Sequence, residues 1–108
     1  MTAQPLQIGG GRATIGGFAP KLAELTDDVL FKDVWNRTEL AARDRSLITV
    51  AVLIAGGDAD QLRFHLGRAK ENGLTETELI EAITHLAFYA GWPKAMTAIT
   101  VAKQVFTT

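Results

Sequence analysis

No cysteine occurs among the 108 residues. Disulfides, thiolate zinc sites, iron–sulfur clusters and thiol redox chemistry are excluded together. Serine is almost as scarce: Ser46 stands alone with no G-x-S-x-G around it, which excludes hydrolases built on the nucleophile elbow. Only His65 and His85 represent histidine, so one chain cannot supply an all-histidine zinc site. Neither sign of charge is in excess. Lys and Arg number 11 against 12 Asp and Glu, a net −1 with neutral His, and this offers no electrostatic footprint for nucleic acid or an anionic membrane surface. No apolar run approaches the roughly 20 residues that span a bilayer. The longest, Ile48 to Ala55, contains Thr49 and ends at Gly56-Gly57. The first 20 residues show no basic stretch followed by an apolar one, so no signal peptide is expected. The expectation is a soluble, cytoplasmic protein with one core, because a chain this short has no room for two.

What is present reads as helix. Five of the ten glycines (Gly9, Gly10, Gly11, Gly16, Gly17) fall in the first 17 residues, and residues 1–19 read as a flexible glycine-rich arm. A phosphate-binding loop there would need a strand before it and a helix directly after it, and neither pattern is present. Residues 20–108 read as a single helical domain. Pro20 suits a first helical position, and Pro20 to Asn36 reads as one kinked helix or two short ones. A second helix, Ala42 to Ala55, is apolar on nearly all sides and stops at Gly56-Gly57. A third opens at Asp58 or Asp60 and stops at Gly73, with Leu62, His65, Leu66 and Ala69 as its apolar stripe. Thr75-Glu76-Thr77-Glu78 forms a capping box for a fourth, which ends near Gly91. Pro93 opens a fifth that reaches Phe106. No alternating strand pattern and no repeat is visible. The predicted fold is an all-α bundle of about five to six helices. Helices two, four and five carry more apolar surface than a small monomer hides, so a homo-oligomer is expected.

Several side chains are candidates for chemistry. His65 lies on an apolar stripe, either as a core histidine with satisfied nitrogens or as a general acid or base. His85 has Glu81 one turn before it and Tyr89 one turn after. The carboxylate could orient the ring and raise its basicity, or the group could be an ordinary surface pair. Two histidines and a carboxylate could hold a metal, but neither H-x-x-x-H nor H-x-x-E occurs, and no metal is assigned. Among Arg37, Arg43 and Arg45, each with a planar fork suited to a carboxylate, Arg45 is expected to point inward. Arg43 is expected at the surface, paired with Glu39 or Asp44. Trp35 and Trp92 could wall a ligand pocket or pack in a core or interface.

These residues also form a series of motifs: Asp33-Val34-Trp35-Asn36-Arg37, Arg45-Ser46-Leu47-Ile48-Thr49, Leu62-Arg63-Phe64-His65-Leu66, Glu71-Asn72-Gly73-Leu74-Thr75, and His85 with Tyr89-Ala90-Gly91-Trp92-Pro93. In this order, over about Phe31 to Phe106, the chain resembles the carboxymuconolactone decarboxylase family. The resemblance implies an alkyl hydroperoxidase D-like all-α fold that assembles through its helices, typically as a trimer of dimers. It implies a lyase that decarboxylates γ-carboxymuconolactone, in the protocatechuate branch of aromatic catabolism, without a cofactor. The peroxidase branch of the fold carries Cys-x-x-Cys four residues before a histidine. Aligned on His65, those positions are Asp58 and Gln61, so peroxidase activity is excluded.

His65, His85 and Arg45 are the implied catalytic residues. One histidine would be the general acid, the other an oxyanion donor, and Arg45 the carboxylate ligand. Trp35, Arg37, Tyr89, Trp92 and Met96 are the implied substrate contacts. The expected partners are a small anionic organic molecule and further copies of the chain, as a trimer or hexamer. Related decarboxylases carry Asn three residues after the Gly-x-Pro proline, where this chain has Met96. That departure favours the alternative of a non-catalytic oligomeric ligand-binding protein. A metal-dependent enzyme using His65 and His85 is a third option.

Overall fold

The computed structural model describes residues 10–107, and among them it contains six α-helices and no strand. The all-α expectation holds. No helix among the described residues is long and apolar enough to cross a membrane. The described residues fall into two compact units, divided between Ala42 and Arg43.

The first unit contains α1 (Gly11–Ile15), α2 (Pro20–Glu24), a π-helical stretch Leu25–Phe31 that continues α2, and a 3-10 turn Val34–Asn36. Over Pro20 to Asn36, where one kinked helix or two short ones are expected, the helix changes pitch at Leu25 and is followed by the separate 3-10 turn. The wider pitch shows in the bond from the Lys32 N–H to the Asp27 carbonyl, at 3.1 Å. Of the expected flexible arm, residues 1–9 lie outside the described ones. Within it, Gly10 and Gly11 are buried and α1 is helical.

A tertiary contact accounts for that helix. The Asp27 carboxylate accepts the Gly11 and Arg12 amides at 2.6 and 2.9 Å, capping the N-terminus of α1. The Arg12 guanidinium reaches Asp28 at 2.7 Å. A Cβ at position 11 would sit 2.7 Å from the Ala23 Cα, so only glycine allows this approach.

The second unit holds α3 (Ala42–Gly56) from its second residue on, α4 (Ala59–Glu71), α5 (Glu76–Tyr89) and α6 (Trp92–Phe106). The ends of α3 and α4 use one device. At the end of α3 the Gly57 and Asp58 amides bond to the Ile54 and Leu53 carbonyls, and at the end of α4 the Gly73 and Leu74 amides bond to those of Lys70 and Ala69. Both turns need a left-handed residue, supplied by Gly57 at φ +72° and Gly73 at φ +106°. The second turn also drives Leu74 into the core.

The capping box of α5 forms as expected, with Thr75 and Glu78 each accepting the other's amide. The predicted stripe of α4, Leu62, His65, Leu66 and Ala69, is buried in full. Its Leu62, Leu66 and Ala69 join Val50 and Ile54 of α3, Leu79 and Ile83 of α5, and Ala98, Val101 and Ala102 of α6 in one cluster. Alanines at 95, 98 and 102 let α6 lie against both α4 and α5. Asn72 donates to the buried Ser46 hydroxyl at 2.9 Å, which ties the end of α4 to α3. Although α3 is apolar nearly all round, Ile48 and Val52 remain exposed.

Candidate functional site

Helical phase creates a cleft in the second unit. On α3, Arg43, Leu47 and Ala51 follow one another at i, i+4 and i+8. On α5, Glu78, Glu81, Ala82, His85 and Leu86 share one face by the same periodicity. These two rows, with Leu74 between them in sequence, line a cleft of about 510 Å³. Its walls are aliphatic, and its polar groups are one guanidinium, two carboxylates and one imidazole. Such a mixture suits a small polar organic ligand.

Arg43 donates to Glu78 at 2.6 Å and to Asp44 at 3.3 Å. Glu78 is fixed from two sides. The Thr75 amide and the Arg43 guanidinium hold its carboxyl below the usual carboxylate range. The His85 ring lies 4.9 Å from that of Tyr89, tilted by 30°. Tyr89 therefore supports the imidazole from the turn that follows it.

Of the implied site residues, His85 faces this cleft. Arg45 does not line it, because two residues along a helix turn a side chain by about 200° away from Arg43. The arginine expected at the surface is thus the one at the cleft, and its surface pair with Asp44 exists as well. Tyr89, Trp92 and Met96 are exposed and lie outside the cleft lining, with Trp92 set edge-on to Phe88 at 5.5 Å. Trp35 and Arg37 belong to the first unit. There Trp35 stacks on Phe31 at 6.4 Å and Arg37 pairs with Glu39 at 3.5 Å. Glu78 and Glu81 face the cleft although neither ranks among the implied site residues. The signal for both was their i, i+3, i+4, i+7 register with His85.

His65 sits in the core of the second unit, 8% exposed, with the Phe64 ring edge-on at 5.0 Å. Burial, with a contribution from Arg68, pushes its pKa below the ordinary 6.5. The folded state therefore binds fewer protons than the unfolded chain as pH falls through about 6.5. The stability tied to His65 is complete above that pH and declines below it. Urea midpoints are expected to fall between about pH 7.5 and 5.5, and His65→Gln is expected to flatten that slope. An equal slope in the variant would contradict a buried neutral imidazole. Among the described residues no group of three or more His, Asp or Glu side chains converges as metal ligands.

The chain matches curated proteins and one family model. The chain is 46% identical to 4-carboxymuconolactone decarboxylase of Acinetobacter baylyi over 74 residues, which cover 68% of this chain and 55% of that protein. It is 35% identical to nitrosuccinic acid decarboxylase npaB of Metarhizium robertsii over 81 residues, 75% of this chain and 57% of that one. The chain thus spans little more than half the length of these curated relatives. The model of the carboxymuconolactone decarboxylase family matches residues 20–104, from the start of α2 to the last turn of α6. With most of the chain inside that match, the protein belongs to the carboxymuconolactone decarboxylase family.

Proposed function

We propose that the protein is a cofactor-free decarboxylase, acting in the α3–α5 cleft on a small anionic lactone or related acid of aromatic catabolism. The observation that carries this reading is the placing of Arg43 and His85 on facing rows of one aliphatic-walled cleft. Both relatives named above are decarboxylases of small acids, which supports the reaction class.

Loss of CO2 leaves an electron pair on carbon. An acceptor in the substrate, such as a conjugated carbonyl, takes up that pair, and a proton must then reach the carbon. His85 is the group in the cleft that can deliver it. Arg43 binds a carboxylate that the product keeps. Holding the departing carboxylate there would stabilise the reactant more than the transition state. The aliphatic walls act on the departing group, since a carboxylate loses more from weak solvation than CO2 does. Met96 lies outside this cleft, so the Asn-to-Met departure removes no polar group from it.

The proposal extends to a cytoplasmic homo-oligomer, a trimer or hexamer. The exposed apolar side chains Ile48, Val52, Phe88, Trp92 and Met96 support self-association. The reaction is tested by supplying 4-carboxymuconolactone and nitrosuccinic acid to the purified protein and measuring released CO2. Turnover of either acid above its uncatalysed rate is expected. No excess release with both would contradict the proposal.

A further inference from the structure

The guanidinium of the cleft already holds an anion. Arg43 Nη2 donates to Glu78 Oε2 at 2.6 Å, and the other oxygen of Glu78 accepts the Thr75 N–H at 2.9 Å. Glu78 is therefore tied to the first turn of α5 and cannot swing away without breaking its capping box. Glu78 and Glu81 both line the cleft, so its side chains bring two negative charges against the single charge of Arg43. An acid entering the cleft meets a cation with a carboxylate in contact, and that carboxylate is anchored to a helix end.

Resting on the reading of the cleft as the acid's binding site, we infer that Glu78 is a specificity-determining residue. It competes with the ligand's carboxylate for Arg43 and so sets how tightly the cleft holds organic acids. A neutral ligand of the same shape is indifferent to this competition. Asp44, the other carboxylate on Arg43, lies outside the cleft lining and farther from the guanidinium, at 3.3 Å. Its influence on a ligand is correspondingly smaller.

Succinate is a suitable probe, since it has no acceptor to support loss of CO2 and its binding is read without turnover. Succinamide is its neutral counterpart. Titrations followed by the His85 ring resonances give Kd for the native protein and for each variant. Glu78→Gln keeps an oxygen for the Thr75 N–H, and glutamine is accepted at this capping-box position. Releasing the Arg43 guanidinium from the carboxylate in contact with it is expected to tighten succinate by about tenfold and leave succinamide unchanged. In an Arg43→Gln background the same substitution is expected to gain less than about threefold, the sign of coupling between the two residues. Asp44→Asn is expected to gain less than Glu78→Gln.

Glu78→Ala, which removes the side-chain polar group altogether, is expected to tighten succinate in the same direction. A purely structural role in the cap predicts weaker binding in both variants. Unchanged or weaker succinate affinity in Glu78→Gln and Glu78→Ala would overturn the inference. So would an equal gain with Arg43 replaced, or no binding in any form of the protein. A failed decarboxylation assay alone would leave the succinate result standing, so the two readings fall separately.

Discussion

His85→Gln is expected to lower kcat by about 10²–10⁴-fold while KM changes little. Glutamine keeps much of the size and polarity of histidine but has no proton to give at neutral pH. Binding of the acid depends on Arg43 and the aliphatic walls, which the substitution leaves in place. The loss should therefore fall on the step that protonates the carbon after CO2 departs. Steady-state rates with 4-carboxymuconolactone, or with whichever acid the protein turns over, check this. A kcat within about twofold of native would remove His85 from the acid role, because general acid catalysis is worth far more than that. A rise in KM with kcat preserved would make it a binding group instead.

Leu66→Ala is expected to cost about 2–5 kcal/mol of stability. Leu66 is 0% exposed and stands at the centre of the α4 stripe, within the cluster shared by all four helices of the second unit. Truncation there loses the transfer energy of the side chain and leaves a cavity that packed helices cannot fill. Val52, 68% exposed on α3, provides the contrast. Val52→Ala is expected to change stability by no more than about 0.5 kcal/mol in the isolated chain. Urea unfolding of both variants at one pH reads the difference. Similar midpoints for the two would contradict the placing of the core.

These residues also show how much of the molecule was legible in its sequence. The α4 stripe was readable because a 3.6-residue period with polar flanks states its own phase. Both glycine stops and the Thr75 capping box were readable because their chemistry is complete within a few residues. The cleft was not, and α3 is the reason. A helix apolar on nearly every side carries little phase information, so nothing local says whether Arg43 or Arg45 shares the side of Leu47 and Ala51 that meets α5. Only packing decides it, through the burial of Ser46, Val50 and Ile54. α1 was hidden for another reason. Its cap is supplied by Asp27, 16 residues from the Gly11 amide it accepts, and Gly11, one of the glycines that read as freedom, is there for the close approach to Ala23. His85 was legible as a candidate because Glu81 and Tyr89 flank it at helical spacing. Its partnership with Arg43 required the fold.

Locating a bound acid tests most directly whether the α3–α5 cleft is the site of reaction. A saturated lactone acid that cannot lose CO2 can be soaked into crystals at a concentration that inhibits turnover. Its carboxylate is expected within hydrogen-bond reach of Arg43, with the carbon to be protonated facing the His85 ring. A ligand bound beside His65, or a cleft left empty while turnover is inhibited, would contradict that assignment.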